Sequence, residues 1–165
     1  MDCMQGTYEF MSDELQATLW SPHDYLHSPV DDLFSFYYTT QWAVAFNDGA
    51  SGRRYQGRVI EEFREMITGE LRSLATNVIR DQTREMEEYG PFFNQSLALL
   101  SPWITKLFGL QRDWVSVMVE AKGLKGVERG EYLGQKFLIY GYRGVEEYFK
   151  LLHEHRATLQ KPLVL

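Results

Sequence analysis

Six glycines recur at helical spacing between residues 123 and 144, in steps of three, four, four, seven and three residues. On an α-helix, where each residue turns the chain by 100°, all six fall inside an arc of about 80°. A glycine in a helix interior costs about 1 kcal/mol relative to alanine. The segment is therefore a helix only if close packing offsets that cost. The six residues are Gly123, Gly126, Gly130, Gly134, Gly141 and Gly144.

Three interpretations of this glycine ladder stay open. In the first, Gly126, Gly130 and Gly134 form a small-xxx-small face against which a second helix packs, from this chain or from another copy. In the second, the glycines lie in loops, and the β-branched valines of 114–119 and the apolar run 137–140 form strands. The second interpretation predicts a small hairpin from about 114 to 142. In the third interpretation, a ligand lies on the glycine face.

Helix signals dominate the rest of the chain. Ser-Pro pairs at 21–22, 28–29 and 101–102 combine a good N-cap with the residue favoured at the first helical position. The patterns predict helices over 12–20, 29–46, 92–100, 102–108 and 145–159, with a turn or two over 22–27. Val145, Tyr148, Phe149, Leu152 and Leu159 are predicted to form an apolar stripe along the last helix.

Apolar residues also step by three and four from residue 53 to 89, which predicts one long amphipathic helix. Ile60, Phe63, Ile67 and Leu74 belong to this stripe. A straight helix of that length would reach roughly 55 Å and exceed the width of a compact domain of this size, so it either projects or breaks near Gly69. We therefore predict a mainly α-helical, bundle-like fold with one long amphipathic helix, and an α+β fold as the alternative.

Length and charge limit the classes of function. A chain of 165 residues predicts a single domain over 1–165, and residues 1–6 are expected to be mobile. The net charge of −6 argues against direct nucleic-acid binding and suits a basic protein partner. With Cys3 as the sole cysteine, no intrachain disulfide and no cysteine-based zinc site can form. The lack of a signal peptide and of a long apolar run predicts a cytoplasmic protein with no membrane span.

Aromatic residues are abundant between residues 34 and 46, where they cover nearly all sides of the predicted helix. Tyr38, Trp42 and Phe46 recur every four residues and share one face. Such a helix is buried on two sides, either in the core of the chain or at an interface with another subunit.

Two small groups of residues suggest ligand binding. His23 and His27 are four residues apart, as in a two-histidine metal clamp, whereas His153 and His155 point about 200° apart on a helix. The small-residue loop with Ser51, followed by Arg53 and Arg54, resembles an anion-binding helix start.

No motif of nucleophilic or P-loop catalysis occurs in the sequence, and no cofactor is predicted. The sequence therefore favours a non-enzymatic helical protein that acts by binding protein. It would be an oligomer, a component of a larger assembly, or an acidic adaptor or inhibitor. The alternative is a small metal-binding enzyme or sensor that uses the paired histidines.

Overall fold

A computed structural model describes residues 10–20, 26–47, 58–68, 72–81 and 89–161. Within these ranges the chain forms seven helices and no strand. They are α1 (Asp13–Trp20), α2 (Pro29–Ala45), α3 (Arg58–Thr68), α4 (Arg72–Asp81), α5 (Pro91–Ala121), α6 (Gly126–Glu154) and α7 (Arg156–Leu159). The predicted mainly α-helical fold is therefore confirmed.

Helix α2 begins where its Ser-Pro signal predicts. The Ser28 hydroxyl accepts a hydrogen bond from the Asp31 amide, and the Asp31 carboxylate accepts one from the Ser28 amide at 2.7 Å. This capping box satisfies donors that would otherwise be unpaired at a helix start. The helix then crosses the centre of the molecule, where Phe34 and Tyr37 are buried and α2 contacts α3, α5 and α6.

Of the two outcomes predicted for the long helix over 53–89, the structure favours the break, because the described part of that segment forms two shorter helices that contact each other. Ile60, Phe63 and Ile67 of α3 are buried as predicted. In α4 the buried residues include Ala75 and Ile79, and Leu74 is exposed. Helix α4 packs against α5, whereas one straight helix would carry its apolar stripe past the body of the molecule.

Two predicted helices at 92–100 and 102–108 are instead parts of the single helix α5, with Pro102 in its interior. An interior proline removes one backbone hydrogen bond and costs about 3 kcal/mol or more. Burial of Trp103 and Ile104 directly after it offsets that cost. Ser101 does not cap a helix there, and its hydroxyl donates to the Arg80 carbonyl oxygen at 3.3 Å.

The alternative hairpin over 114–142 does not form. Helix α5 runs through the valine-rich segment to Ala121, and α6 begins after a four-residue connection at Gly126. The two helices are antiparallel, as shown by the ion pairs between Asp113 and Arg143 and between Lys106 and Glu147. The helix predicted over 145–159 is thus the end of α6 together with α7. Among the described helices, none has the length and hydropathy needed to cross a bilayer.

Candidate interaction surface on helix α6

The glycine ladder lies on and before α6, and its members have different surroundings. Gly126 has a φ of +54°, a left-handed conformation that other residues rarely adopt. A Cβ atom built on Gly130 or on Gly134 meets no other group within 4 Å. The predicted close packing at these three glycines is therefore not made by the described part of the chain, and their contact with another molecule stays a prediction.

Close packing occurs at the other end of the ladder, against α2. A Cβ atom on Gly144 would overlap the Leu33 side chain, lying 3.1 Å from Cδ2 and 3.2 Å from Cγ. A Cβ atom on Gly141 would lie 3.7 Å from the Cβ atom of Pro29, an ordinary contact. Gly144 thus allows the start of α2 to approach α6 closely.

A second side of α6 packs against α5. The Tyr140 ring lies edge-on to Trp114 with a centroid separation of 5.5 Å. The Tyr132 hydroxyl donates a hydrogen bond to the Glu120 carboxylate, and this bond, with smaller effects of burial and charge, raises the pKa of Tyr132 to about 12. These contacts join one side of α6 to α5.

Further along the same side, a lysine from each of two helices lies near Glu147. Lys106 Nζ lies 3.0 Å from Glu147 Oε2, and Lys150 Nζ lies 3.4 Å from Oε1. The hydrogen bond from Lys106 is the main reason that the pKa of Glu147 is lowered. The carboxylate is therefore held ionised as a link between α5 and α6.

The outward side of α6 carries four large apolar residues that this chain leaves exposed: Leu138, Tyr142, Val145 and Phe149. Their exposed fractions are 61%, 76%, 46% and 62% in that order. Their spacing of four, three and four residues places them inside an arc of about 60° on the helix. We call these four residues the α6 stripe.

An open groove of about 370 Å³ borders the α6 stripe on the side of α2. Pro29 and Leu33 of α2 line one wall, and Phe137 and Gly141 of α6 line the other. Asp32 is the one charged residue among the described residues of its lining, and its Oδ1 lies 3.2 Å from His27 Nε2. The exposed apolar surface therefore extends from the stripe to the start of α2.

A second apolar groove, of about 260 Å³, lies on the other side of the start of α2. It includes Leu26, Val30, Trp114 and Val119. Val119, like Val115 beside it in this groove, is more than half exposed. The start of α2 thus lies between two apolar grooves and lines both of them.

The predicted aromatic interface on α2 divides between core and surface. Tyr38 is only 2% exposed, and the guanidinium carbon of Arg72 lies 4.0 Å from its ring centroid. Trp42 and Phe46 stack at 4.4 Å, and both are a little over one third exposed. Tyr38 is therefore a core residue of the folded chain, and an intermolecular contact at Trp42 and Phe46 stays a prediction.

The predicted ligand groups lie partly outside the described residues. His23, Ser51, Arg53 and Arg54 fall in ranges that the structure does not describe. Within the ranges it does describe, no group of three or more histidine, cysteine or acidic side chains could hold a metal ion. His27 pairs with Asp32, while His153 is exposed near the end of α6 and His155 is the residue that separates α6 from α7.

Three buried polar atoms in the core have no hydrogen-bond partner among the described atoms: Tyr37 Oη, Gln41 Nε2 and Trp103 Nε1. The Tyr37 and Trp103 rings lie 5.4 Å apart. Burial raises the pKa of Tyr37 well above its ordinary value, so the phenol is protonated and uncharged in the core. These groups lie inside the core and do not belong to the α6 surface.

The apolar stripe predicted for the last helix includes Val145 and Phe149, and the structure leaves both of them exposed. The buried residues of α6 are Gly144 and Leu151, on another face of the helix. The signal for the stripe is nevertheless present in the sequence, as the heptad-like spacing from Leu138 to Phe149.

Comparisons with models of known protein families, with curated proteins and with solved structures find no match to this chain.

Proposed function

We propose that this chain is a non-enzymatic helical protein that acts by binding protein through the α6 stripe. The observation that carries the proposal is a row of four large apolar side chains facing solvent on one helix. Single exposed apolar residues are normal, but contiguous apolar patches on monomers are uncommon and mark contact surfaces.

The energetics of the stripe favour burial against another molecule. Full burial of a leucine, valine or phenylalanine side chain is worth about 1.5–3 kcal/mol relative to exposure. Within the stripe's arc, no charged residue interrupts the apolar row between Leu138 and Phe149. Charged residues are depleted at the cores of protein interfaces, and tyrosine and phenylalanine are enriched there. The composition of the stripe therefore matches an interface core.

The surface is also held in place before any partner arrives. Tyr140 packs on Trp114, and Arg143 forms an ion pair with Asp113 at 3.1 Å, both on the side that faces α5. A helix already fixed by such contacts loses little conformational entropy when its free face is covered. This preorganisation supports binding by the folded chain.

Site-specific photo-crosslinking tests the proposal. The full chain carries the substitution Tyr142→p-benzoylphenylalanine. It is expressed at its native level in the cells in which it naturally occurs. A matched control carries Glu65→p-benzoylphenylalanine, at an exposed helical position on α3. We expect irradiation to yield discrete protein adducts from position 142 and none of comparable yield from position 65.

Adducts with a second copy of the chain and adducts with a different protein both support protein binding through the stripe. The absence of any adduct at position 142, in protein that retains the helical circular dichroism of the unmodified chain, would refute the proposal.

A further inference from the structure

We infer that the α6 stripe is covered by the α6 stripe of a second copy of this chain, with the two helices antiparallel. This partner assignment rests on the proposed function, binding through the α6 stripe. The first support is the spacing of the stripe, because steps of four, three and four residues form the apolar seam of a two-stranded coiled coil.

The stripe is symmetric about a point between residues 143 and 144. In an antiparallel pair centred there, Leu138 lies opposite Phe149 of the second copy, and Tyr142 lies opposite Val145. Each contact is made twice, as in any twofold symmetric interface. Each contact also joins a larger side chain to a smaller one, which favours even packing along the seam.

The charges on either side of the stripe favour the same antiparallel alignment. Glu131 lies in the arc of the stripe seven residues before Leu138, and Arg156 lies seven residues after Phe149, at the start of α7. Both side chains are exposed, and Glu131 forms no ion pair with another described residue.

Counted along the sequence and across the boundary between α6 and α7 at His155, the antiparallel register pairs Glu131 of each copy with Arg156 of the other, whereas a parallel register pairs like charges. Opposite charges across an interface set its orientation and register. The stripe and its flanking charges therefore select one arrangement of two copies.

Disulfide trapping tests this arrangement. In a Cys3→Ser background, which removes the native cysteine, the double variant Leu138→Cys, Phe149→Cys is oxidised under mild conditions. Positions 138 and 149 of one chain are about 16 Å apart along the helix, too far for an intrachain disulfide. In the antiparallel pair they lie opposite each other, so we expect a covalent dimer of twice the 19.3 kDa chain mass.

The two single variants, Leu138→Cys and Phe149→Cys, are the matched controls. In the antiparallel pair, equal positions of the two copies lie about 16 Å apart, so neither single variant should form a dimer disulfide. In a parallel pair both single variants would cross-link, which would overturn the proposed orientation.

Charge exchange gives an independent readout on non-oxidised protein. We expect Glu131→Arg or Arg156→Glu alone to weaken self-association by about threefold to tenfold, as for exposed interfacial ion pairs. The double exchange Glu131→Arg, Arg156→Glu should restore it. Analytical ultracentrifugation measures the association constants, and circular dichroism confirms folding of each variant.

The outcomes separate this inference from the proposed function. A strict monomer at high concentration with no cross-link in the double variant overturns the second copy as partner. If photo-crosslinking at Tyr142 then yields adducts with a different protein, binding through the stripe stands and only the inferred partner fails. If it yields none, both fail.

Discussion

The close contact between α6 and α2 leads us to predict that the effect of a Gly→Ala substitution on the free energy of unfolding depends on the space around each glycine. The substitution Gly144→Ala should destabilise the chain, because the new methyl group overlaps the buried Leu33 side chain. Overpacking of this kind costs about 1–3 kcal/mol. We expect the upper end of that range, because three atoms of Leu33 lie within 3.2 Å of the added carbon.

Helix propensity acts in the opposite direction and can be measured separately. Replacing an interior helical glycine by alanine gains about 1 kcal/mol, so the net loss at Gly144 should be about 2 kcal/mol. Gly134→Ala in the same helix meets only open space and should gain the full amount of about 1 kcal/mol. The two variants should therefore differ in their free energies of unfolding by about 3 kcal/mol, which isolates the steric cost.

Urea unfolding at one fixed protein concentration, followed by circular dichroism, measures both values. A second test uses a Leu33→Ala background, in which the overlapping atoms are absent. There Gly144→Ala should become stabilising, although Leu33→Ala itself costs about 2–5 kcal/mol. If Gly144→Ala stabilises the unaltered chain as much as Gly134→Ala does, α2 does not approach α6 closely and the reasoning is refuted.

Two further predictions concern other contacts of the fold. Arg72→Met should lower the free energy of unfolding by about 1–3 kcal/mol, because it removes the buried guanidinium together with its ion pair to Asp13 and its contact over the Tyr38 ring. An unchanged urea midpoint would contradict this. The stabilising effect of the raised Tyr132 pKa should be complete below pH 10 and lost as the pH rises towards 12. A spectrophotometric titration measures this pKa, with Tyr132→Phe identifying the contribution of Tyr132. We expect Glu120→Gln to lower the pKa of Tyr132. A titration that Glu120→Gln leaves unchanged would refute the role of the hydrogen bond.

Local signals predict helix starts well only where tertiary packing agrees with them. Ser28 caps α2, as its Ser-Pro pair predicts, and Ser12 caps α1. Ser101-Pro102 carries the same signal as Ser28-Pro29, yet it lies inside α5. The difference is the burial of Trp103 and Ile104, which depends on partners distant in sequence and cannot be read from the dipeptide.

Periodicity indicates which residues share a face, but it does not indicate which molecule covers that face. Helix α6 has one side that this chain buries, with Leu151, and an apolar side that it leaves exposed, with Phe149. The sequence pattern indicates the helical spacing on both sides, but it does not indicate which side this chain buries. Which side is buried depends on Gly144, whose missing side chain allows α2 to pack on its own side of the helix.

The starts of α1 and α2 are joined through one carboxylate, and this has a consequence for how the chain opens. The Ser12 hydroxyl accepts from the Leu15 amide and donates to Asp31, which is also the acidic member of the α2 capping box. Helix α1 has only eight residues, too few to persist in water alone. Its amides should therefore exchange with solvent in step with the first turn of α2, as one cooperative unit, and not by independent fraying from the amino terminus.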